Sequence, residues 1–316
     1  MKKALLGILI LAALVPATFF IAGAIAPVAT ARFAVNLERS ASGLSERSLQ
    51  IPGFQIRYLE GGSGEPLILL HGFGANKDNW SRISKLLTPH YRVIAPDLPG
   101  FGESSKPADQ KYRYTDQIPR IHAFAQALRL KQFHIGGNSM GGYFSAGVAA
   151  EYPEAVLSTW LLAPGGVHAA QPSEMARKIA AGEEVPLLAE TPKDFDKIFG
   201  FVMTNPPWIP GFYKAVLAER AVAAYPLNKQ IFEQIRNQSP ALEDQVDGLA
   251  TPTLIHWGDQ DRVLHVSGAQ VLAQVMPKAQ VITLPQIGHM PMLEAPEQVA
   301  QDYIKFRRGL AGLPAE

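Results

Sequence analysis

Short apolar runs bounded by Gly and Pro alternate with longer stretches of helical spacing along most of the chain. The apolar runs predict β-strands at Phe54–Leu59, Pro66–Leu70, Tyr91–Pro96, Gln132–Asn138, Val156–Ala163, Thr253–Trp257 and Gln280–Leu284. The longer stretches predict helices at Trp80–Leu87, Asp116–Leu130, Gly141–Glu151, Val266–Val275 and Glu297–Arg308. This alternation is typical of an α/β fold, a mostly parallel sheet with helices on both faces.

The alternation breaks once, in residues 165–248, where only helical patterns occur. We interpret this stretch as a helical lid inserted into an α/β core formed by residues 51–164 and 249–316. The lid helices are predicted at Ser173–Ala181, Pro192–Met203, Tyr213–Tyr225 and Asn228–Asn237.

The first residues have a different character. After Lys2 and Lys3, no charged residue occurs until Arg32, a stretch longer than the about 20 residues that cross a bilayer. Residues 1–31 therefore predict a single-pass transmembrane anchor; the alternative is a signal peptide cleaved after Ala31. Because Lys2 and Lys3 favour the cytoplasmic side, the rest of the chain is expected beyond the membrane. Residues 32–50 are predicted as a juxtamembrane segment, either an amphipathic helix on the lipid surface or a solvated linker.

Charge and composition narrow the function. Lys and Arg total 29 against 28 acidic residues, a formal charge of +1, so no global field favours nucleic acid as a partner. The chain has no cysteine, which excludes disulfides, a thiol nucleophile and thiolate metal sites. We expect neither a metal nor a cofactor.

Gly137-Asn138-Ser139-Met140-Gly141 has the form G-x-S-x-G between a predicted strand and a predicted helix. In this context the glycines allow a sharp turn that exposes the serine above the sheet, so we predict Ser139 to be a nucleophile. The alternative is a serine that only caps the helix.

A second loop, His71-Gly72-Phe73-Gly74, follows the strand Pro66–Leu70. In acyl transfer the carbonyl oxygen becomes negative, and two backbone N–H groups stabilise it. We predict these donors to be the N–H groups of Phe73 and Met140. His71 is interpreted as a structural residue that holds the loop.

The base and the acid are predicted from loops that follow later strands. His289 follows the strand Gln280–Leu284, whereas His265 and His256 are the nearest rivals. Asp261 follows the strand Thr253–Trp257 with enough reach to contact the histidine, and Asp259 is its competitor. The resulting chain order of Ser, Asp and His is the order of α/β-hydrolases.

The chain resembles α/β-hydrolase lipases and esterases from roughly residue 54 to residue 308. The motifs that carry this resemblance are His71–Gly74, Asp97–Ser104, Gly137–Gly142, Trp257–Asp261 and Gly288–His289. A more specific resemblance is to bacterial membrane-anchored lipases and phospholipases A1, which have a long N-terminal helix and a stretch similar to residues 201–210. The resemblance implies an enzyme of the bacterial inner membrane that faces the periplasm, acts on bilayer lipids and dimerises through its membrane helix. It also implies Ser139, Asp261 and His289 as the catalytic triad and Phe73 and Met140 as the oxyanion donors.

The expected substrate is a lipid acyl ester, cleaved through an acyl-enzyme on Ser139. Aromatic and apolar lid residues are expected to line an acyl tunnel; they are Phe195, Phe199, Phe201, Met203, Trp208, Ile209, Phe212 and Tyr213. From this set we select Met203, Trp208 and Phe212 as substrate-binding candidates. The small residues Ala22, Gly23 and Ala26 give a weak signal for helix pairing.

Two other classes of function stay open. Residues 137–142 are also similar to carbon–carbon hydrolases of aromatic ring-cleavage products, but those enzymes tend to carry a glycine-rich loop where this chain has Gly74-Ala75-Asn76-Lys77. The other class is a hydrolase-like binding protein without activity, which the presence of Ser139, Asp261 and His289 disfavours.

Overall fold

Eight strands form a single sheet in the computed structural model, which describes residues 16–312. The order across the sheet is β1-β2-β4-β3-β5-β6-β7-β8. The β1/β2 and β2/β4 pairs are antiparallel, and all other pairs are parallel. The strands are β1 (Leu44–Ile51), β2 (Phe54–Gly61), β3 (Glu65–Leu70), β4 (Tyr91–Pro96), β5 (Phe133–Asn138), β6 (Val156–Leu162), β7 (Thr253–Gly258) and β8 (Ala279–Leu284).

Helices follow most strands, and four of them lie between β6 and β7. Residues 16–25 are also helical, and a 3-10 turn spans Lys77–Trp80. The helices are α1 (Pro27–Ala41), α2 (Ser81–Leu87), α3 (Tyr114–Ala127), α4 (Met140–Glu151), α5 (Glu174–Ala180), α6 (Pro192–Val202), α7 (Gly211–Gln238), α8 (Leu242–Gln245), α9 (Gly268–Val275), α10 (Pro291–Glu294) and α11 (Pro296–Leu310).

The sheet is covered on both faces. Along β3, Leu67 and Leu69 belong to one apolar cluster, whereas Ile68 and Leu70 belong to the cluster on the opposite face. All residues of β5 and β7 are buried, as expected for central strands between two helical layers. The predicted α/β architecture is therefore confirmed.

The N-terminal edge of the sheet differs from the prediction. Residues 32–50 are neither one amphipathic helix nor a linker, because α1 ends at Ala41 and β1 begins at Leu44. In β1 only the two end residues, Leu44 and Ile51, are buried. An edge strand of this kind lacks regular apolar alternation, which is why the sequence pattern did not reveal it.

The insertion between β6 and β7 also differs in detail. The two helices predicted at Tyr213–Tyr225 and Asn228–Asn237 form one helix, α7, with Pro226 inside it. A proline removes one backbone hydrogen bond, but packing of α7 against α6 and α1 supports the helix through this point.

The predicted anchor, residues 1–31, lies only partly within the described residues, since the description begins at residue 16. Between residues 16 and 312, no helix combines the length and the apolar character needed to cross a membrane. The helical residues 16–25 contact the insertion, where the rings of Phe19 and Phe212 lie 5.4 Å apart. A Cβ atom on Gly23 would lie 2.4 Å from the Phe212 ring, so this glycine of the predicted pairing face is covered by the chain itself.

One buried histidine makes stability depend on pH. The side chain of His134 is 1% exposed, and its Nε2 lies 2.9 Å from Arg307. Burial and the Arg307 charge lower the pKa of His134 to about 4, although Glu65 opposes them. An unfolded histidine has a pKa of about 6.5, so between these values the unfolded chain binds a proton that the native chain does not.

The contribution of His134 to the free energy of unfolding is therefore expected to be fully present above pH 6.5. As the pH drops towards 4, the free energy of unfolding should fall by about 2–3 kcal/mol. In His134→Gln this part of the pH dependence should disappear, which urea unfolding at a series of pH values measures. Equal slopes in wild type and variant would contradict the assignment.

Candidate active site

The predicted site residues lie in loops at one edge of the sheet. The His71–Gly74 loop follows β3, Ser139 follows β5, Asp261 follows β7 and His289 follows β8. Because these strands are parallel, their carboxyl ends meet at the same edge, where open α/β sheets bind ligands.

Ser139 occupies a sharp turn between β5 and α4. Its φ of +56° is unusual for a residue with a side chain and stores strain at this point. A Cβ atom on Gly137 would lie 2.2 Å from the Gly141 carbonyl oxygen, and one on Gly141 would lie 2.2 Å from that of Leu70. Both glycines are thus required by close backbone approach, and the turn has the geometry predicted from the sequence.

His289 and Asp261 form a buried pair. The Nδ1 atom of His289 lies 2.7 Å from Oδ2 of Asp261. The other carboxylate oxygen, Oδ1, accepts hydrogen bonds from the N–H groups of Val263 (2.8 Å) and Leu264 (2.9 Å). An aspartate fixed in this way holds the proton on Nδ1 and leaves Nε2 as the basic nitrogen.

The competing candidates have other partners. Asp259 accepts a hydrogen bond from the N–H of Gln286 (2.7 Å). His256 is buried and accepts a bond from the Trp160 indole (2.9 Å). His265 contacts Ser267 with its Nδ1 atom (2.9 Å) and lines the cavity described below.

The loop of His289 lies against the residue that precedes Ser139. The Asn138 side chain donates hydrogen bonds to the carbonyl oxygens of His289 (2.9 Å) and Leu162 (3.1 Å). Within residues 16–312, no hydrogen bond joins the Ser139 hydroxyl to the imidazole. In enzymes without substrate this contact is often long and tightens only in the reacting complex.

The loop after β3 is held from below by His71. The buried imidazole donates from Nδ1 to the Gly72 carbonyl oxygen (2.8 Å) and accepts at Nε2 from the N–H of Leu98 (3.0 Å). Burial lowers the pKa of His71, although the negative charge of Asp97 opposes this shift. The lowered pKa favours the neutral form of the imidazole. The structural role predicted for His71 is confirmed.

The two predicted oxyanion donors lie beside Ser139. Met140 is the first residue of α4, where a backbone N–H has no acceptor within the helix. Phe73, Met140 and Ser139 all line one cavity of about 530 Å³. The start of α4 and the loop after β3 therefore lie at the wall of the same cavity as Ser139.

The rest of this cavity comes mainly from the insertion. Apolar side chains of α5 and α7 form much of its wall, including Met175, Ile179, Phe232 and Ile235. Their spacing of three or four residues along each helix is the sequence signal that could have found them. Arg236 also lines the cavity, whose described lining includes no Asp or Glu.

The three substrate-binding candidates from the lid do not line this cavity. Met203 is buried in a small apolar cluster with Val202 and Val263. Trp208 is 76% exposed, and its ring lies 6.4 Å from that of Phe20. Phe212 covers Gly23, as described above.

Among the described residues, none of the eight aromatic and apolar lid residues proposed for the tunnel lines the cavity with Ser139. The periodicity of this segment identified apolar faces, but it did not indicate which face covers the site.

Within residues 16–312, no group of three or more His, Asp or Glu side chains is arranged to hold a metal ion.

Comparisons with known proteins agree with this fold. A family model described as "alpha/beta hydrolase fold" matches residues 65–296. The chain is 41% identical to Lipase 3 of Moraxella sp. (strain TA144) over 290 residues, which cover 90% of this chain and 91% of that protein. It is 30% identical to the monoacylglycerol lipase ABHD6 of Mus musculus, over 76% of this chain and 74% of that protein. The crystal structure of a membrane phospholipase A, described as a bacterial virulence factor, superposes with a TM-score of 0.89 at 42% identity, covering 98% of this chain and 99% of that one.

A mostly parallel sheet, a serine at a strand-to-helix turn and a buried Asp–His pair define a class of hydrolases. The chain belongs to the α/β-hydrolase fold family. Its similarity to these lipases identifies it as a carboxylic ester hydrolase.

Proposed function

We propose that the chain is a membrane-anchored lipid esterase that forms an acyl-enzyme on Ser139. The observation that carries this proposal is the large and mostly apolar cavity that opens onto Ser139, Met140 and Phe73. A cavity of about 530 Å³ has the size of a site for a drug-sized or larger apolar ligand. The lipases and the membrane phospholipase A among the relatives support a lipid substrate of the phospholipase A1, lysophospholipase or acylglycerol lipase type.

In this mechanism Ser139 attacks the ester carbonyl while Nε2 of His289 accepts its proton. The Asp261 carboxylate keeps the imidazole oriented and stabilises its cation. The N–H groups of Met140 and Phe73 stabilise the oxyanion of the tetrahedral intermediate. The protonated His289 then gives its proton to the leaving alcohol, and a water molecule activated by His289 hydrolyses the acyl-enzyme.

Membrane attachment is proposed from the N-terminal segment. Large apolar side chains of the helical residues 16–25 and of α1 are exposed, together with Trp208 from the insertion; the helical ones are Phe20, Ile21, Ile25, Val28, Phe33 and Leu37. A surface of this kind suits contact with a lipid interface. We propose that residues 1–31 anchor the chain in the bacterial inner membrane, that residues 32–50 lie next to the membrane, and that the catalytic core faces the periplasm.

The alternative to a membrane anchor is secretion after cleavage at Ala31. The intact mass of the membrane-extracted protein distinguishes an uncleaved anchor from a cleaved signal peptide.

A homodimer through the N-terminal helix stays a prediction. Since Phe212 covers Gly23, such a dimer would use the exposed Ala22 and Ala26. The division into a core (51–164 and 249–316) and a lid (165–248) is likewise proposed, with α5–α8 as the lid that covers Ser139.

The substrate class is tested with the purified full-length protein in detergent. We expect turnover of long-chain phospholipid and monoacylglycerol, and slower turnover of short p-nitrophenyl esters, because only long chains fill the apolar cavity. Negligible turnover of both lipids would exclude the proposed lipase function. Turnover of a ring-cleavage dienone in their place would favour the carbon–carbon hydrolase.

Arg236 provides a prediction about head groups. A permanent positive charge in the cavity wall favours an anionic head group over a neutral one. In Arg236→Gln, the ratio of kcat/KM for a phospholipid with a net negative head group to that for monoacylglycerol should fall about 5- to 10-fold, since the exposed side chain is partly screened. Arg177→Gln is the control, because Arg177 is an exposed residue of α5 that donates to the Pro172 carbonyl oxygen. Equal losses on both substrates in Arg236→Gln would show that Arg236 does not distinguish head groups.

A further inference from the structure

Glu294, at the end of the short helix α10, accepts backbone hydrogen bonds from two separate parts of the chain. Its Oε1 atom accepts from the N–H groups of Gly288 (3.1 Å) and Met290 (3.4 Å), the two residues that flank His289. Its Oε2 atom accepts from the N–H groups of Thr204 (2.8 Å) and Asn205 (2.9 Å), which follow helix α6 of the insertion. One carboxylate thus binds the histidine loop to the insertion.

The same two segments are joined directly as well. The N–H of His289 donates to the Val202 carbonyl oxygen (2.9 Å), and the Asn205 side chain donates to that of Gln286 (2.8 Å). A Cβ atom on Gly288 would lie 2.9 Å from both Oε1 of Glu294 and the Thr204 nitrogen. The histidine loop is therefore packed closely between Glu294 and the 202–205 segment.

The chemistry of this site requires a carboxylate. Four backbone donors converge on the side chain, and an ionised carboxylate offers only acceptors at both oxygens. A glutamine of the same shape would present an NH₂ group to donors that it cannot satisfy. The loop would then have to move or leave some of these N–H groups without their acceptor.

We propose that Glu294 is a positioning residue for His289. By fixing the loop of His289 to the 202–205 segment, Glu294 keeps this base in position relative to Ser139. The proposal rests on the role proposed for His289 as the general base. A displacement of about 1 Å in a reacting group can lower a rate about 100-fold, so a small movement of this loop matters for proton transfer. The ring itself is oriented by Asp261, whereas its backbone is placed by Glu294, Val202 and Asn138.

The test compares Glu294→Gln with the wild-type full-length protein. We expect kcat to fall about 10- to 100-fold while KM changes less than about threefold, because the acyl cavity is formed by other residues. The rate of covalent labelling of Ser139 by a fluorophosphonate should fall by a similar factor, since this reaction also requires the base. All assays are run well below the melting temperature of each protein, so that unfolding does not contribute.

Asp194→Asn is the matched control. The Asp194 carboxylate also accepts a backbone N–H, that of Thr191 (2.8 Å), but it caps the exposed start of α6. This variant should lose stability through the lost cap and keep kcat and the labelling rate within about twofold.

Wild-type kcat and labelling rate in Glu294→Gln, with only a lower melting temperature, would overturn the proposal, because Glu294 would then act on stability alone. A rise in KM at unchanged kcat would also overturn it. If Glu294→Gln does not fold, Glu294→Asp replaces it; this shorter carboxylate keeps the charge but cannot reach both segments, and an unchanged kcat would have the same meaning. If the wild type itself neither hydrolyses esters nor reacts with the probe, the proposed function fails, independently of Glu294.

Discussion

Ser139→Ala is expected to lower kcat for ester hydrolysis by about 10⁴- to 10⁶-fold, because it removes the oxygen atom that we propose forms the acyl-enzyme. Covalent labelling by a fluorophosphonate should be lost entirely. The melting temperature should stay close to that of the wild type, since alanine meets the same strain at a φ of +56° as serine does. Active-site titration and thermal unfolding of the purified proteins measure both quantities.

Ser145→Ala is the control for this experiment. Ser145 lies in α4, the helix that follows Ser139; it is fully buried and donates to the Gly141 carbonyl oxygen (2.8 Å), but it does not line the cavity. Its replacement should leave kcat within about twofold of the wild type. Labelling that persists in Ser139→Ala would contradict the assignment of the nucleophile and favour another hydroxyl.

Lys77→Met is expected to destabilise the chain by about 3–5 kcal/mol, because it leaves a buried carboxylate without its cation. The Lys77 side chain is 1% exposed, and its ammonium group lies 2.7 Å from the carboxylate of Asp97, whose side chain is fully buried. It also lies 2.5 Å from Glu103. Burial alone would raise the pKa of Glu103, but the hydrogen bond and charge of Lys77 lower it to about 2. Urea unfolding at neutral pH measures the loss, which corresponds to a fall in melting temperature of about 5–8 °C.

Two further variants identify the cause of this loss. Lys178→Met breaks an exposed ion pair with Glu183 (3.0 Å) and should change stability by less than about 1 kcal/mol. The double variant Lys77→Met/Asp97→Asn should recover part of the stability lost in Lys77→Met, because no unpaired charge stays buried. A loss of less than about 1 kcal/mol in Lys77→Met would contradict the idea that Asp97 depends on this cation.

Much of the fold followed from local patterns. The strands between Phe54 and Leu284 were predicted because buried strands appear as short apolar runs between Gly and Pro. The turn at Ser139 was also predicted, since its glycines are needed wherever backbones approach so closely. These features depend on residues that are neighbours in sequence, which is why they can be identified without a structure.

Choices between similar residues needed the assembled fold. Asp259 and Asp261 lie in one short loop, and only the three-dimensional path shows that Asp261 reaches His289 whereas Asp259 holds Gln286. The strand β1 was missed because its solvent-exposed edge position leaves little apolar pattern. In both cases the deciding contact joins residues that are distant in sequence or depends on neighbouring strands.

The sequence by itself determined the order of the strands from β2 to β8, the sharp turn at Ser139 and the loops that contain Asp261 and His289. The tertiary structure decided which helix faces line the cavity, so that Phe232 and Ile235 line it together with Ser139 while Trp208 contacts the N-terminal helix. It also decided that Glu294 joins the histidine loop to the insertion. The physical reason is that periodicity records which face of an element avoids water, whereas the partner of that face is set by the packing of the whole chain.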